Sequence, residues 1–415
     1  MDTEQWITEM LRQEAGSTAP PPVHIVLDRA RRLQRNRARA MAMGLGALLL
    51  VGAGLALAPR VLPSRELRFA GPESSDSATE ARSSSCPSGH QSAAQNVAGW
   101  KALPSIPGGA TTAVITVTTR GDIITVLEHD ERPFAALLDQ GRRTWTCTML
   151  PFGGLGRAPL FVTTDDMLYL WTDNARGEVL AMAVDSREWR ALPPFPLEHR
   201  VPGVVVWTGQ GLLIWGGNRT QPANIDDGAI YSPRTGEWSR IAKAPRAFTM
   251  TAGTWSGSAL WVVGSRLDGN NRSESPTPEL LRYRPADDHW DVMPSPPISP
   301  QAFAVDWSAD GLIAWDYLLQ TVRFDTGLNR WEPLPALPFD PMECYPARAS
   351  GRGPVVAVYC SRIAVLEQND VWRELPSLTE VIEAVVRHQD ELILMGSASV
   401  GGPLRLWAGR WEAPR

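Results

Sequence analysis

Tryptophan recurs along this chain at nearly regular intervals. Eight of the 17 tryptophans lie 39 to 52 residues apart: Trp100, Trp145, Trp189, Trp238, Trp290, Trp331, Trp372 and Trp411. A period of roughly 40–50 residues is typical of repeat architectures, in which each unit buries its faces against its neighbours. The spacing therefore predicts a stack of equivalent units rather than a fold built around a single core.

The segments between these marker tryptophans have the composition of β-strands. Residues 204–207 (Val-Val-Val-Trp) and 212–215 (Leu-Leu-Ile-Trp) flank the turn Thr-Gly-Gln-Gly, and similar pairs occur in other intervals. β-Branched and aromatic residues suit a pleated sheet, and glycine suits the turn. Four strands fit in each interval, with the marker tryptophan on the fourth. Such small sheets bury their faces when they are stacked radially, so we expect an all-β propeller.

The complete intervals predict seven blades of four antiparallel strands. Their expected bounds are 101–145, 146–189, 190–238, 239–290, 291–331, 332–372 and 373–411. Trp100 is then left over, and we expect it to belong to a strand that overlaps the last blade and helps to close the ring. Six blades, eight blades and a β-sandwich with scattered tryptophans are the alternatives.

One interval carries a recognisable family motif. The Gly216-Gly217 pair, Tyr231, and Trp238 preceded by Gly236 resemble a blade of the kelch-repeat family. The resemblance covers roughly residues 100–415 and is closest in the middle units. It implies a propeller like the central domain of galactose oxidase, with ligands held by the loops that join the fourth strand to the first and the second to the third.

The N-terminal part predicts a single membrane crossing. Residues 40–58 are uncharged and, as a helix, would span ~28 Å, about one bilayer core. Six arginines lie just before them (Arg29, Arg31, Arg32, Arg35, Arg37 and Arg39), which predicts a cytoplasmic N-terminus and an external propeller. A cleaved signal peptide is the alternative, since Ala56-Leu-Ala58 resembles a cleavage site.

This interpretation divides the chain into four parts. We expect a basic helical cytoplasmic segment (1–39), a transmembrane helix (40–58), a flexible extracytoplasmic linker (59–95) and the propeller (96–415). The layout resembles single-pass membrane proteins of high-GC bacteria. Small residues four apart in residues 40–58 permit weak homodimerisation of that helix, although such pairs are common by chance.

Charge and cysteine content narrow the possible functions. The net charge is -5, and no basic stripe appears, so we expect no nucleic-acid partner. An even number of cysteines outside the membrane is compatible with disulfides, and we expect the pairs Cys86–Cys147 and Cys344–Cys360, with four buried thiols as the alternative. No Cys-x-x-Cys pair is present, so we expect no zinc, and we expect no cofactor.

A few basic residues precede or enter predicted first strands and are candidate ligand-binding residues. They are Arg157, His199, Arg200, Arg246 and Arg348. Guanidinium groups near the channel mouth would bind carboxylates or sulfates bidentately. Arginines that hydrogen-bond loop carbonyls between blades are the structural alternative. The tryptophans inside predicted strands favour packing between blades over sugar stacking.

Two functions fit this sequence. The first is a membrane-anchored extracytoplasmic module that binds a protein or a glycan through its loop face, without chemistry of its own. The second is a carbohydrate-active enzyme, a sugar-acid epimerase or an oxidase-like protein, with its site at the channel mouth. No group of residues has the spacing of a catalytic or metal site, and we expect the first function.

Overall fold

The computed structural model describes Cys86, Pro87 and residues 94–411, except for short internal gaps. The gaps are residues 110–112, 119, 130–131, 140, 142–143, 152–154, 156–159, 165, 173–177, 219–224, 267–276, 341–345, 352 and 399–401. The predicted cytoplasmic segment and transmembrane helix lie outside the described residues. Within the described residues, no helix is both long and apolar enough to cross a membrane.

The described residues form seven sheets that correspond to seven blades, each built on four antiparallel strands. Blades 1 to 3 are β2 (Ala113–Val117), β3 (Ile123–His129), β4 (Arg132–Leu138) and β5 (Trp145–Met149); β6 (Leu160–Thr163), β7 (Met167–Trp171), β8 (Val179–Ala183) and β9 (Trp189–Ala191); and β10 (Val204–Trp207), β11 (Leu212–Trp215), β12 (Gly228–Ser232) and β13 (Glu237–Arg240).

Blades 4 to 6 continue the same order. They are β14 (Met250–Trp255), β15 (Leu260–Ser265), β16 (Glu279–Arg284) and β17 (His289–Met293); β18 (Phe303–Ser308), β19 (Gly311–Asp316), β20 (Thr321–Asp325) and β21 (Arg330–Leu334); and β22 (Pro346–Arg348), β24 (Val356–Tyr359), β25 (Arg362–Leu366) and β26 (Trp372–Glu374). We letter the strands of each blade A to D from the central channel outward.

Blade 7 differs from the others because both ends of the chain build it. Its strands A to C are β27 (Val381–His388), β28 (Glu391–Ser397) and β29 (Arg405–Arg410), and its strand D is the N-terminal β1 (Lys101–Ala102). The expectation that a strand next to Trp100 closes the ring is therefore confirmed. A single 3₁₀ turn, Pro107–Gly109, follows β1.

The expected bounds of the last blade are wrong. Trp411 does not mark a fourth strand: it directly follows β29, which is the third strand of its sheet. Trp100 takes that role instead, because strand D of blade 7 comes from the other end of the chain. The remaining six markers lie on the D strands of blades 1 to 6, as predicted.

The marker tryptophans also join neighbouring blades. Among the described residues, four indole N–H groups donate to the carbonyl oxygen four positions after the preceding blade's marker, at 2.6 to 3.0 Å: Trp100 to Pro376, Trp238 to Pro193, Trp290 to Ala242 and Trp331 to Pro294. Trp372 reaches Pro335 through the Thr321 hydroxyl. The recurring Trp-x-x-x-Pro pattern thus contains one donor and one acceptor. The indole N–H bonds to the preceding blade, and the carbonyl four residues later accepts from the marker of the next blade.

Hydrophobic side chains fill the space between successive blades. The largest fully buried side chains include Trp171, Trp215, Trp315 and Trp407, in agreement with the expectation that strand tryptophans serve packing. The tryptophans at the C-terminal end of strand A are less buried than these: Trp207, Trp255 and Trp307 are only partly buried. These three lie beside the hairpins that join strands A and B, and we call this end of the channel the A–B end.

Disulfides reinforce the ring. Cys86 is bonded to Cys147 of β5, and Cys86 packs against the core between blades 7 and 1. Next to it, the Gly108 amide donates to the Pro87 carbonyl. Cys360 is also disulfide-bonded, whereas its expected partner Cys344 lies outside the described residues.

Candidate functional site

Arg200 is buried and paired. Its side chain is fully buried, and one Nη forms a salt bridge with Asp227. The Nε donates to the Glu198 carbonyl at 2.9 Å, and the guanidinium lies 5.6 Å from the centre of the Phe195 ring. These contacts match the structural alternative for arginines of this kind, and they place Arg200 inside the seam between blades rather than on a ligand-binding surface.

The other candidates at the entrance of strand A do not converge on one site. Arg246 is about half exposed and bonds Glu279 at 3.1 Å. His199 is exposed and lies against Trp171 with ring centres 6.5 Å apart. Arg157 lies outside the described residues. Among the contacts that the described residues form, Arg200, Arg246 and His199 have no partner in common.

Arg348 is the candidate that the structure places in a cluster. It is the last residue of β22, the A strand of blade 6, and one of its Nη atoms lies 3.3 Å from Asp306 Oδ1. Asp306 lies on β18 of blade 5, and its other oxygen, Oδ2, accepts from Arg387 Nη1 at 2.7 Å. Arg387 belongs to β27 of blade 7. One carboxylate is thus shared by two guanidinium groups from two different blades.

The inner strand of blade 6 is broken where this cluster forms. After Arg348 the chain leaves its own sheet, and β23 (Ser350–Gly351) pairs in parallel with β27 of blade 7. Gly351 has φ of 90°, and a Cβ there would lie 2.4 Å from the Arg387 carbonyl oxygen, so the close approach requires glycine. Arg387 donates back to the Gly351 and Pro354 carbonyls, which fixes its guanidinium in the seam.

Arg348 extends across the channel. Its second Nη donates to the Gly253 carbonyl of blade 4 at 3.1 Å, so the side chain passes over the inner strand of blade 5. Gly253 lacks a side chain at a point where a Cβ would clash with Val204 of blade 3. The Arg348 side chain is 34% exposed, whereas those of Asp306 and Arg387 are 4% and 3% exposed.

The cluster has an uneven charge. Arg348 and Arg387 carry two positive charges, and Asp306 carries one negative charge. Because Arg387 is buried and directly bonded to Asp306, the unbalanced charge falls on Arg348, the member that reaches solvent. Charges in a partly enclosed channel are screened less than charges on an open surface. The arrangement is suited to hold an anion beside Arg348.

The cluster lies near the A–B end of the channel. Arg348 forms the last residue pair of β22 with β24, and Arg387 is one pair from the end of the β27–β28 hairpin. This is the opposite end from the fourth-to-first and second-to-third loops, where the family resemblance placed a ligand. No group of acidic, histidine or cysteine side chains suited to hold a metal ion occurs within the described residues.

Sequence reasoning did not identify Asp306 or Arg387 as partners of Arg348. A signal was present: both are charged residues inside segments otherwise composed of apolar strand residues, Ala304-Val-Asp-Trp307 and Ala384-Val-Val-Arg-His388. Charged side chains are rarely fully buried unless they are paired. Opposite charges in two predicted inner strands therefore indicate contact across the channel.

Comparison with known proteins does not show a family for this chain. No family model matches this chain, and no curated protein matches it. It is similar to a solved structure described as "Structure of YjhT", with 12% identity over 62% of this chain and 94% of that chain, and a TM-score of 0.47. That level of similarity carries no argument about ligand or activity.

Proposed function

We propose that this chain is a membrane-anchored, extracytoplasmic binding protein of the kelch type, and that its channel binds the carboxylate of an acidic sugar. The observation that carries the proposal is the sharing of Asp306 between Arg348 and Arg387. The cluster keeps one positive charge that its own carboxylate does not neutralise, and Arg348 exposes that charge to the channel.

Arg348 has the chemistry for this role. A guanidinium group presents five N–H donors in a planar fork, which matches a carboxylate. Asp306 and the Gly253 carbonyl hold the group in place from two sides, so little side-chain entropy is lost when a ligand binds. We expect modest affinity for a single sugar acid, with strong dependence on ionic strength.

The first test is calorimetric titration of the purified full-length chain with glucuronate, with glucose as the uncharged match. We expect glucuronate to bind and glucose not to bind at the channel, and we expect Arg348→Gln to weaken glucuronate binding at least tenfold. Removing one charge-assisted interaction costs about 1.5–3 kcal/mol, which corresponds to a factor of that size.

Arg246→Gln is the matched control, because it removes an arginine that is paired with Glu279 away from the cluster. It should bind glucuronate like the wild type. The proposal is wrong if no glucuronate binds to the wild-type chain, or if Arg348→Gln and Arg246→Gln bind it equally well.

The membrane part of the proposal is supported by the sequence and by a disulfide. Residues 40–58 are long and apolar enough to span a bilayer, and the arginines before them favour a cytoplasmic N-terminus. The Cys86–Cys147 disulfide fits an oxidising compartment outside the cytoplasm.

Protease treatment of intact spheroplasts tests the topology. With an epitope tag at each end of the chain, added protease should remove the C-terminal tag and leave the N-terminal tag intact, while lysed cells should lose both. A C-terminal tag that is protected in intact spheroplasts, or that is found in the medium as a released product, contradicts the anchored topology.

A further inference from the structure

A second site lies at the A–B end, in the groove between blades 4 and 5. Its volume is about 490 Å³, within the range of ligand pockets. Blade 4 supplies most of the lining and blade 5 supplies Trp307 and Thr326. The lining contains aromatic rings, guanidinium groups, a carboxylate and two serines, so it differs in character from the cationic cluster in the channel.

The floor of the groove is a pair of stacked indoles. Trp307, at the end of strand A of blade 5, lies against Trp261 of β15 with ring centres 5.5 Å apart and planes 27° apart. Trp261 is only 3% exposed, whereas Trp307 is partly exposed. The buried ring holds the outer one in place, so Trp307 offers a flat, rigid and apolar platform.

One wall of the groove is a network of paired charges. Arg282 lies 5.5 Å from the centre of the Trp261 ring and donates through Nε and Nη2 to Asp291 Oδ2, at 3.0 and 2.8 Å. Arg284 bonds the same oxygen at 3.1 Å and Asp287 at 2.7 Å. Two guanidinium groups thus face two carboxylates.

This pairing has consequences for the ligand. Burial alone would raise the pKa of Asp291, but the hydrogen bonds and charges of Arg282 and Arg284 outweigh it and hold that pKa below its usual value. Asp291 therefore stays ionised at neutral pH. Because both guanidinium groups of the wall are already paired with carboxylates, the groove offers hydrogen-bonding groups whose charges are engaged within the wall.

A related stack elsewhere in the ring shows what is particular to this groove. Trp207 lies on Tyr169 between blades 2 and 3, with ring centres 5.6 Å apart and planes 12° apart. Tyr169 is paired across the sheet with Ala181, whereas Trp261 is paired in the same way with Arg282. The aromatic stack alone therefore serves packing, and the polar wall occurs beside only one of these two described stacks.

We propose that this groove binds an uncharged sugar ring of a glycan chain. An aliphatic sugar face fits the exposed face of Trp307, and the ring hydroxyls match the hydrogen-bonding groups of Ser258, Arg284 and Asp287 on the wall. An ionic ligand is not favoured, because it would have to separate charges that are already paired. The site does not depend on Arg348, and the two proposals fail independently.

The test uses the full-length chain in lipid nanodiscs, titrated separately with cellotetraose, chitotetraose and maltotetraose. We expect at least one of these neutral oligosaccharides to bind, with a change in tryptophan fluorescence. Trp307→Ala should weaken that binding at least tenfold, and Arg284→Met, which alters the wall and leaves the stack in place, should weaken it severalfold.

Trp207→Ala is the matched control, since it removes the corresponding indole from the stack on Tyr169, which does not line the groove. It should bind the oligosaccharide like the wild type, as should Arg348→Gln. The inference is wrong if none of the three oligosaccharides binds, if Trp207→Ala loses as much affinity as Trp307→Ala, or if Arg284→Met and Trp307→Ala both bind normally.

Discussion

Two carboxylates in this propeller are each bonded by two guanidinium groups, and their surroundings give them different roles. Asp306 lies in the channel between Arg348 and Arg387, and its side chain is 4% exposed. Asp291 lies on the outer strand of blade 4 between Arg282 and Arg284, and its side chain is 25% exposed. The number of paired groups is the same in both places.

The difference lies in burial and in a further charge. Asp287 supplies a second carboxylate next to Arg284, so the outer network is balanced. The charges of the channel cluster do not balance, and water cannot solvate the buried charges of Asp306 and Arg387. Asp306 also accepts the Trp307 amide at 2.9 Å. A carboxylate between two guanidinium groups thus has two different roles. In the channel it stabilises the fold and holds the arginine of the proposed anion site, and on blade 4 it forms part of a polar wall of paired charges.

The largest effect should come from removing the buried carboxylate. Asp306→Ala leaves the buried Arg387 without its counter-ion, and breaking a buried pair from one side costs about 3–5 kcal/mol. We expect a loss of that size in the free energy of unfolding measured in urea. Asp310→Ala, on the hairpin that follows β18 and exposed, is the control and should change stability by less than ~0.5 kcal/mol. Equal stability of the two variants would remove the distinction between the clusters.

A smaller effect is expected at the outer network, and it should depend on pH. Asp291→Asn replaces a partly exposed carboxylate with a neutral amide, so it removes the charge that pairs with Arg282 and Arg284, and it should cost on the order of 1 kcal/mol at neutral pH. Because the pKa of Asp291 is lowered in the folded chain, its contribution is present above the usual value of 3.8 and is lost as the pH falls through the folded pKa. The unfolding free energies of wild type and variant should converge once the pH falls below the lowered pKa of folded Asp291; a difference that is independent of pH would contradict the assignment.

The blade repeat was readable from the sequence because it is tied to local chemistry. The marker tryptophan recurs because its indole N–H donates to the preceding blade. The position four residues later, usually proline, recurs because its carbonyl oxygen accepts from the marker of the following blade. Trp145 and Trp189 keep the spacing, although their buried indole N–H groups have no partner in the described part of the chain. The period was therefore visible even where the bond it reflects is missing.

The last blade and the channel cluster were not readable in the same way. The prediction that Trp411 marks a fourth strand was wrong, because strand D of blade 7 comes from the opposite end of the chain. No local pattern in the sequence shows that the two ends pair. Arg348 could be named as a candidate, but its partners Asp306 and Arg387 come from other blades. Contacts between distant repeats depend on ring geometry, which a periodic pattern does not contain.

Asp316 illustrates a third kind of difficulty. In the structure the carboxylate is fully buried and accepts amide N–H groups from Ser299, Leu318 and Gln320, which joins the loops of blade 5. Burial raises the pKa of Asp316, while these bonds partly oppose the rise. Three amides thus meet at one buried carboxylate, an arrangement that no local pattern in the sequence shows.

The pairing of β1 with β29 has a consequence for biogenesis. Lys101 and Ala102 leave the ribosome early, but their partners Ala408 and Trp407 are among the last residues to be made. The ring therefore stays open until synthesis of the chain is nearly complete, with the face of blade 1 that meets blade 7 unprotected until then. Contacts of such long sequence separation slow folding, and a chaperone that covers the exposed face of blade 1 would help this molecule most in that interval.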